Sequence, residues 1–221
     1  MPVQTGDDGY DTPMSLEVSV QRLKVFPLSP VVLFPQTAVP LHIFEPRYRQ
    51  MVKDAFSSDR LFALAHPLPN DVSPKPFLEP IACVGRIVWD EAVDGGRYNI
   101  LLHGLSRVRL LEELETDKPY REFRAEVVPE AEYPGMENGL VRQAVMEWLK
   151  RVPNARVPPW LTQVYGGTLA DGIGAAFVEE VAIRRKFLSE LSPKERLLLA
   201  LDWLGGQLAR CPVPPSSDSL H

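Results

Sequence analysis

Proline is the feature that most constrains how this chain can fold. The 221 residues include 22 prolines. Each proline fixes φ and removes a backbone hydrogen-bond donor, so long helices and central strands tolerate it poorly. We therefore expect short, sharply bent strands joined by stiff loops, as in a small barrel. The prolines are densest near the start of the chain, at Pro27, Pro30, Pro35, Pro40 and Pro46.

The hydrophobic pattern of residues 18–130 is mostly that of strands. The clearest hairpin pairs residues 81–89 with residues 98–109, both rich in apolar and β-branched side chains. Its connection contains Asp-Gly-Gly at 94–96, and glycine supplies the positive φ that a tight reversal requires. Apolar residues at helical spacing interrupt the strands at 45–55 and predict a short helix there.

After Pro134 the hydrophobic period changes to that of helices. Residues 140–149 form one amphipathic pattern. A single longer helix is predicted to begin at Thr168, with Asp171 near its start and an apolar arc that reaches Leu188. The last helix has the strongest local signal, because Ser-Pro-Lys-Glu at 192–195 is a capping box with proline at the first helical position.

These patterns predict an α+β fold in two parts. Residues 18–130 form a β-rich part and residues 135–210 a helical bundle. The ends are polar and rich in residues that do not favour regular structure. We predict that residues 1–17 are a disordered arm and residues 211–221 a disordered tail.

Charge and cysteine usage limit the possible partners and compartments. The net charge is -5, and residues 1–134 hold 14 Lys and Arg against 20 Asp and Glu. Bulk charge therefore argues against nucleic acid and anionic membranes. Cys83 and Cys211 form no CxxC pair, which fits a reducing compartment. The N-terminus lacks a signal-peptide pattern, and no apolar run approaches the ~20 residues that span a bilayer. We predict a cytoplasmic protein.

Motifs that carry catalysis are missing from the sequence. It contains no GxxxxGK[ST] phosphate loop, no HExxH and no GxSxG. Its histidines, His42, His66, His103 and His221, show none of the spacings typical of metal ligands. We therefore expect no enzyme activity, no cofactor and no metal site.

One segment carries a specific family resemblance. Residues 26–49 read FPLSPVVLFPQTAVPLHIFEPRYR. They resemble the opening of the Lon N-terminal domain family, in which a PLxxVVxFP strand pair leads to PLxIFEPRY and a helix. Residues 81–87 and 98–110 resemble two later strands of that family in the same order, and SPKERLLLALDWL at 192–204 resembles its closing helix. The resemblance covers about residues 20–210.

The resemblance implies a PUA-like β pseudo-barrel followed by a helical bundle. In full-length Lon proteases this region collects substrates for an ATPase and a Ser-Lys protease, and this sequence contains neither module. The implied function is therefore a stand-alone, non-catalytic module that binds unfolded or partner polypeptides, with a separate protease or chaperone as a further partner. Two alternatives stay open: a PUA-like RNA-binding protein, which the acidic charge disfavours, and a barrel that binds a small molecule.

The candidate binding residues are of two kinds. Phe77 in a proline-rich loop and Trp160 after Pro158-Pro159 are large aromatic residues in segments expected at the surface. Trp160 would serve equally well to fix the linker to the helices. The other candidates belong to the segment that carries the resemblance, and they are His42, Glu45, Arg47 and Tyr48.

Each candidate in that segment also has a structural explanation. Glu45 and Arg47 would form an ion pair, or Glu45 would lie at a helix N-terminus, where negative charge is favoured. Tyr48 would pack against the barrel. His42 would lie in a strand with a backbone partner.

Overall fold

The structure, a computed structural model, describes residues 19–211. The predicted arm and all of the predicted tail except Cys211 lie outside the described residues. The strands are β1 (Ser19–Pro27), β2 (Ala38–Ile43), β3 (Leu61–Ala65), β4 (Ile81–Val93), β5 (Arg97–Glu113) and β6 (Arg121–Val128). The helices are α1 (Pro46–Phe56), α2 (Glu137–Leu149), α3 (Gly166–Ala176), α4 (Val181–Ser189) and α5 (Pro193–Arg210), with a 3-10 helix at Pro159–Thr162.

The strands form one mixed sheet that closes on itself. Their order is β2-β5-β4-β3-β1-β6, and β6 also pairs with β5. Strand β5 is long enough for two partners on one side: residues 98–103 pair with β2, and residues 107–113 pair with β6. Strands β1 and β3 are parallel, and the other described pairings are antiparallel. Strands β1, β3, β4, β5 and β6 thus make a closed ring, with β2 attached at one edge.

Alternation along the strands divides the apolar side chains between two cores. Ala63 and Val84 belong to a small core inside the ring, whereas their neighbours Phe62 and Cys83 belong to a larger core outside it. Such alternation is expected when both faces of a sheet are buried. The inner core draws on all five ring strands, through Leu23, Val25, Leu61, Ala63, Ala65, Ala82, Val84, Val108, Phe123 and Ala125.

The larger core joins the sheet to the helices. It includes Phe62 and Leu102 from the sheet, and Val141 and Leu197 from α2 and α5. Helices α2 and α3 both pack against α5. The apolar core therefore continues from the barrel wall into the helical part. Among the helices that the structure describes, none is both long and apolar enough to cross a bilayer.

The prediction of one long helix from Thr168 is wrong. The chain forms α3 and α4 instead, and α3 begins two residues before Thr168. The Arg184 guanidinium donates to the carbonyls of Ala175 and Val178. These carbonyls lie where α3 ends, and they would otherwise lack partners. Arg184 thus stabilises the break between the two helices.

The predicted start of α5 is confirmed, with one change of partner. Ser192 Oγ accepts a hydrogen bond from the Glu195 N–H at 3.3 Å. In a capping box the N–H of the N-cap residue donates to the side chain of the third helical residue, here Glu195. In this structure the Ser192 N–H donates instead to Glu190 Oε1 at 2.8 Å. The backbone N–H groups of Ser192 and Glu195 therefore both have side-chain acceptors at the start of the helix.

A buried charge cluster connects β5 with α3 and α5. Arg107 donates to the two carboxylate oxygens of Asp171 at 2.8 and 2.7 Å, and Arg196 donates to the same oxygens at 3.0 and 2.9 Å. Glu130 approaches both guanidinium groups. Arg107, Arg196 and Asp171 are at most 2% exposed. Asp171 therefore acts as a buried counter-ion rather than as the helix-start residue that the sequence predicts.

Gly104 is where the turn before β2 meets β5. Its N–H donates to Thr37 O at 2.8 Å, and its carbonyl accepts from the Gln36 N–H at 2.9 Å. A Cβ at residue 104 would lie 2.1 Å from Phe34 O and 3.2 Å from Cys83 Sγ. The close approach of two backbones therefore requires glycine here. Cys83 is fully buried at this contact, and burial raises the pKa of its thiol.

His66 is fully buried at the end of β3. Its Nδ1 lies 3.0 Å from Leu28 O, and Nε2 has no hydrogen-bond partner among the described residues. Burial lowers the pKa of His66, and the positive charge of Arg185 lowers it further, although Glu79 acts in the opposite sense. The imidazole is therefore held in its neutral form.

This environment predicts a loss of stability in mild acid. The unfolded chain binds a proton at His66 more readily than the folded chain, so the stability that neutral His66 gives is present above the ordinary pKa of about 6.5. It is lost as the pH falls toward the lower folded-state pKa. We expect the free energy of unfolding, measured by urea titration, to fall more between about pH 7 and about pH 5 in the parent than in His66→Asn. Equal changes in the two proteins would contradict the assignment.

Candidate functional site

An open groove of about 960 Å³ lies at one end of the ring. Three segments line it: the start of α1, the proline-rich stretch between residues 67 and 76, and the connection from β5 to β6 at residues 113–121. Prolines and charged side chains together make up most of these walls. Three other cavities of the described residues have volumes of about 270, 350 and 350 Å³.

Tyr48 and Arg47 form the α1 side of the groove. Tyr48 is only 4% exposed, and its ring centroid lies 4.0 Å from that of Phe26. The Arg47 guanidinium lies 4.5 Å above the Tyr48 ring and pairs with Glu45 at 2.9 Å. Burial raises the pKa of Tyr48, which the charge of Arg47 only partly offsets, so its hydroxyl stays protonated at neutral pH. Glu45 immediately precedes α1, but its side chain makes no capping hydrogen bond.

The opposite walls are joined by a group of ion pairs around Glu113. Arg121 binds both carboxylate oxygens of Glu113, at 2.9 and 2.7 Å, and also donates to Pro76 O at 2.7 Å. Lys75 pairs with Glu113 at 2.9 Å. Burial alone would raise the pKa of Glu113, but the hydrogen bonds from Arg121 and Lys75 outweigh it and lower the pKa. The proline-rich stretch is thus fixed to the barrel end.

A second group of polar contacts joins the β5–β6 connection to α1. Asp54 accepts hydrogen bonds from the Tyr120 hydroxyl at 2.6 Å and from Gln50 Nε2 at 2.7 Å, and Lys118 pairs with it at 3.0 Å. Desolvation acts to raise the pKa of Asp54, but these donors together lower it. All three segments that line the groove are therefore held in place by polar contacts with ordered partners.

Phe77 lies one residue from the groove wall. Its side chain is 75% exposed, as expected for a loop residue. The backbone beneath it is fixed, because the Phe77 N–H donates to Asp71 Oδ2 at 2.8 Å and its carbonyl accepts from the Leu68 N–H at 2.8 Å. A large apolar side chain is thus held at the surface by an ordered loop, beside the groove.

Trp160 occupies a different place in the fold. Its ring packs closely on Gly172, where a Cβ would come within 2.8 Å, and lies 6.2 Å from the ring of Phe177. The half-buried indole also lines an apolar pocket of about 350 Å³, together with Pro35 and Val164. Trp160 therefore fixes the 3-10 helix to α3 and at the same time forms part of a pocket wall.

His42 is exposed on β2, outside the groove lining. Its Nδ1 lies 2.7 Å from Asn99 Oδ1 on β5, and Asn99 Nδ2 donates to Glu91 Oε2 on β4. The His42 ring also stacks on Phe44 at 6.1 Å. The partner is thus a side chain rather than the backbone group expected from the sequence.

Of the six candidate residues, the groove brings together Arg47 and Tyr48, with Glu45 and Phe77 next to it. His42 and Trp160 lie elsewhere. Sequence reasoning missed the residues that build the remaining walls. One of them, Lys75, lies in the proline-rich stretch. The others belong to the run at 111–121, which resembles an ordinary polar connection, and they are Glu113, Lys118, Tyr120 and Arg121.

Comparison with known families identifies the domain. The family model of the ATP-dependent protease La (LON) substrate-binding domain matches residues 22–205. The chain belongs to this family. Membership supports a role in substrate recognition, and the sheet of six strands with five helices in residues 19–211 matches the fold of Lon N-terminal domains.

Relatives of the Lon domain chain align with it over most of its length. Lon protease 2 of Sorangium cellulosum is 29% identical over 220 residues, which cover 92% of this chain and 27% of the relative. Lon protease of Desulfosudis oleivorans is 28% identical over 199 residues, covering 85% and 24%. The chain therefore spans about a quarter of the length of these curated relatives.

Two solved structures share the fold. The N-terminal domain of Mycobacterium avium complex Lon protease superposes with a TM-score of 0.70 at 18% identity, covering 84% of this chain and 98% of that one. The Lon N-terminal domain protein from Xanthomonas campestris gives a TM-score of 0.62 at 22% identity, covering 83% and 99%. At these identities the match concerns the fold alone.

Proposed function

We propose that this Lon-family domain is a non-catalytic module that binds unfolded or partner polypeptides, and that the groove holds them. One observation carries the proposal. An open groove with fixed walls lies directly beside Phe77, a large apolar side chain that an ordered loop exposes. Such a combination suits an extended chain, which can lie along the groove and bury one apolar side chain against Phe77 at ~25 cal/mol per Å².

The rigidity of the walls favours binding. Because Glu113 and Asp54 already fix the proline-rich stretch and the β5–β6 connection, binding orders few side chains of the domain itself. Most of the conformational entropy lost on association is then lost by the polypeptide. The proline-rich stretch adds stiffness, since proline restricts the backbone before binding takes place.

Phe77→Ser is expected to weaken the binding of an unfolded polypeptide. The probe is fluorescently labelled lysozyme whose disulfides are reduced and capped with iodoacetamide, and the readout is fluorescence anisotropy. Loss of the exposed phenyl ring should raise the Kd by about tenfold, or about 1.4 kcal/mol, because the ring's contact area is lost. Native lysozyme should not compete for binding, since its apolar side chains are buried.

Trp89→Ser is the matched control, since Trp89 is another exposed aromatic residue, at 51%, but lies on β4 away from the groove lining. Its Kd should stay close to that of the parent. Equal weakening by the two substitutions would show non-specific adhesion to exposed aromatic rings. An unchanged Kd in Phe77→Ser would remove the groove from the proposal.

We further propose that the domain works without chemistry of its own. Purified protein should hydrolyse neither ATP nor peptides, and robust ATP-dependent cleavage by it would refute the non-catalytic assignment. In the non-catalytic case a separate protease or chaperone would act on the bound polypeptide.

We place the protein in the cytoplasm, because both cysteines are free thiols, which is typical of reducing compartments.

A further inference from the structure

We infer, on the basis of the proposed function, that the groove selects extended polypeptide segments rich in Asp and Glu side chains. The inference concerns the same groove as the proposed function, and it specifies the chemistry of the polypeptide segment that the groove prefers.

The first support is the placement of three cations. Arg47, Lys75 and Lys118 all line the groove, and each comes from a different one of its three segments. A polypeptide that enters therefore meets a positive group on every side. Arg121 is a fourth cation of the lining, but it is largely covered and bound to Glu113.

The second support is that each of these cations is more exposed than the carboxylate that pairs with it. The side chains of Arg47 and Glu45 are 50% and 39% exposed. For Lys75 and Glu113 the values are 69% and 27%, and for Lys118 and Asp54 they are 43% and 21%.

An incoming carboxylate can therefore reach these cations without breaking the existing pairs. A lysine ammonium has three donors, and one internal partner leaves two for a ligand. An arginine has five N–H donors, so the Arg47–Glu45 contact leaves donors free as well. The exposed carboxylate of Glu115 also lines the groove and opposes this preference. Glu113 lines the groove as well, so the lining holds four cations and two carboxylates. The preference therefore depends on the greater exposure of the three cations compared with the carboxylates that pair with them.

The preference operates at short range. The whole chain carries a net charge of -5, so an acidic segment is not drawn in from a distance. At physiological salt, charges more than ~8 Å apart are largely screened. Selection then depends on contacts inside the groove, and a basic segment would be disfavoured there even though the whole protein attracts it.

The same cations do not suit single-stranded nucleic acid. Binding of this kind stacks successive bases on several exposed aromatic rings. The two tyrosines of the groove lining, Tyr48 and Tyr120, are each only 4% exposed, which leaves the single ring of Phe77 beside the groove. Glu113 and Glu115 oppose both kinds of ligand, but a nucleic acid strand carries a charge at every nucleotide and cannot space its phosphates to avoid them. A polypeptide that places carboxylates at intervals fits this arrangement better.

The test compares three short fluorescein-labelled peptides in an otherwise identical Ser, Ala and Leu background. Every third residue is Glu in the first, Gln in the second and Lys in the third, and anisotropy gives the Kd of each for the full chain. We expect the Glu peptide to bind about tenfold more tightly than the Gln peptide, and the Lys peptide to bind most weakly. Raising the salt should reduce the difference.

Lys75→Gln combined with Lys118→Gln should bring the Glu and Gln peptides to nearly equal Kd values. Lys150→Gln combined with Lys186→Gln removes the same charge from exposed positions of the helical part, and should leave the preference intact. Thermal melting of both variants checks that they fold. If the control pair abolishes the preference equally, the groove assignment is overturned.

The other outcomes separate this inference from the proposed function. Equal binding of all three peptides, or binding of unfolded lysozyme with none of the peptides, overturns the preference for acidic segments and leaves polypeptide binding in place. Failure to bind either the peptides or unfolded lysozyme removes both proposals. Tighter binding of an oligouridine strand than of the Glu peptide overturns the inference in favour of nucleic acid.

Discussion

Asp171→Ala is expected to lower the free energy of unfolding by about 3–5 kcal/mol. Asp171 is the shared counter-ion of Arg107 and Arg196, two guanidinium groups that are at most 2% exposed. Without it, only Glu130 would remain to oppose two buried positive charges. Removing one partner of a buried ion pair is costly because the other charge stays desolvated and unpaired.

Urea unfolding, followed by tryptophan fluorescence, measures the effect. Asp202→Ala is the control, since it makes the same substitution at an exposed position of α5, and its stability should change little. Asp171→Asn keeps the volume but not the charge and should also be strongly destabilised. If Asp171→Asn were as stable as the parent, the cluster would act through packing and hydrogen bonds rather than through charge.

Gly104→Ala is expected to cost about 2–3 kcal/mol, at the upper end of the range for overpacked cores. A Cβ at this position would lie 2.1 Å from Phe34 O, a backbone atom that cannot rotate away. The turn at residues 34–37 would have to separate from β5. The two hydrogen bonds through which Gly104 holds Gln36 and Thr37 would then lengthen or break.

Gly205→Ala gives the matched control within the same protein. A Cβ at Gly205 meets nothing within 4 Å, and the residue lies in α5. There alanine should stabilise the helix by about 0.5–1 kcal/mol. Opposite signs for the two glycine substitutions, measured by urea unfolding, are the expected result. A neutral Gly104→Ala would show that the turn has room to move.

Local signals in the sequence were enough for several elements. The hairpin of β4 and β5 follows from Asp-Gly-Gly, and Gly95 and Gly96 have the positive φ values of 77° and 71° that the pattern implies. The start of α5 follows from its capping residues. In both cases the residues that determine the structure lie within a few positions of each other, so a pattern in the sequence is sufficient.

Features that depend on distant residues could not be read in this way. Nothing near residues 177–180 breaks a helix by itself, and the break depends on Arg184 binding carbonyls of the preceding turn. The pairing of Arg107 with Asp171 spans 64 positions. Each of these residues looks like a normal surface charge until the fold brings its partner close.

The residues of the candidate site also fall into those that local sequence indicates and those that depend on distant partners. Arg47 and Tyr48 were found because they belong to a recognisable segment of the Lon domain family, and Phe77 because an aromatic residue in a proline-rich loop is conspicuous. Glu113 and Arg121 were missed, since their joint role depends on the β5–β6 pairing and on contact with the proline-rich stretch. The groove is a tertiary feature, and sequence reasoning identified neither the β5–β6 wall nor the contacts that hold the walls together.

The contact between Cys83 and Gly104 gives this protein a built-in reporter of opening. A thiol that is buried and protonated cannot react with an alkylating reagent, whereas Cys211 is only half-buried. Labelling should therefore proceed in two phases, a fast one at Cys211 and a slow one limited by how often β4 and β5 become accessible. Under conditions where reclosing outpaces the reagent, the slow rate reports the free energy of that opening. Any polypeptide that stabilises the closed barrel would be detected as slower modification of a native cysteine, without an introduced probe.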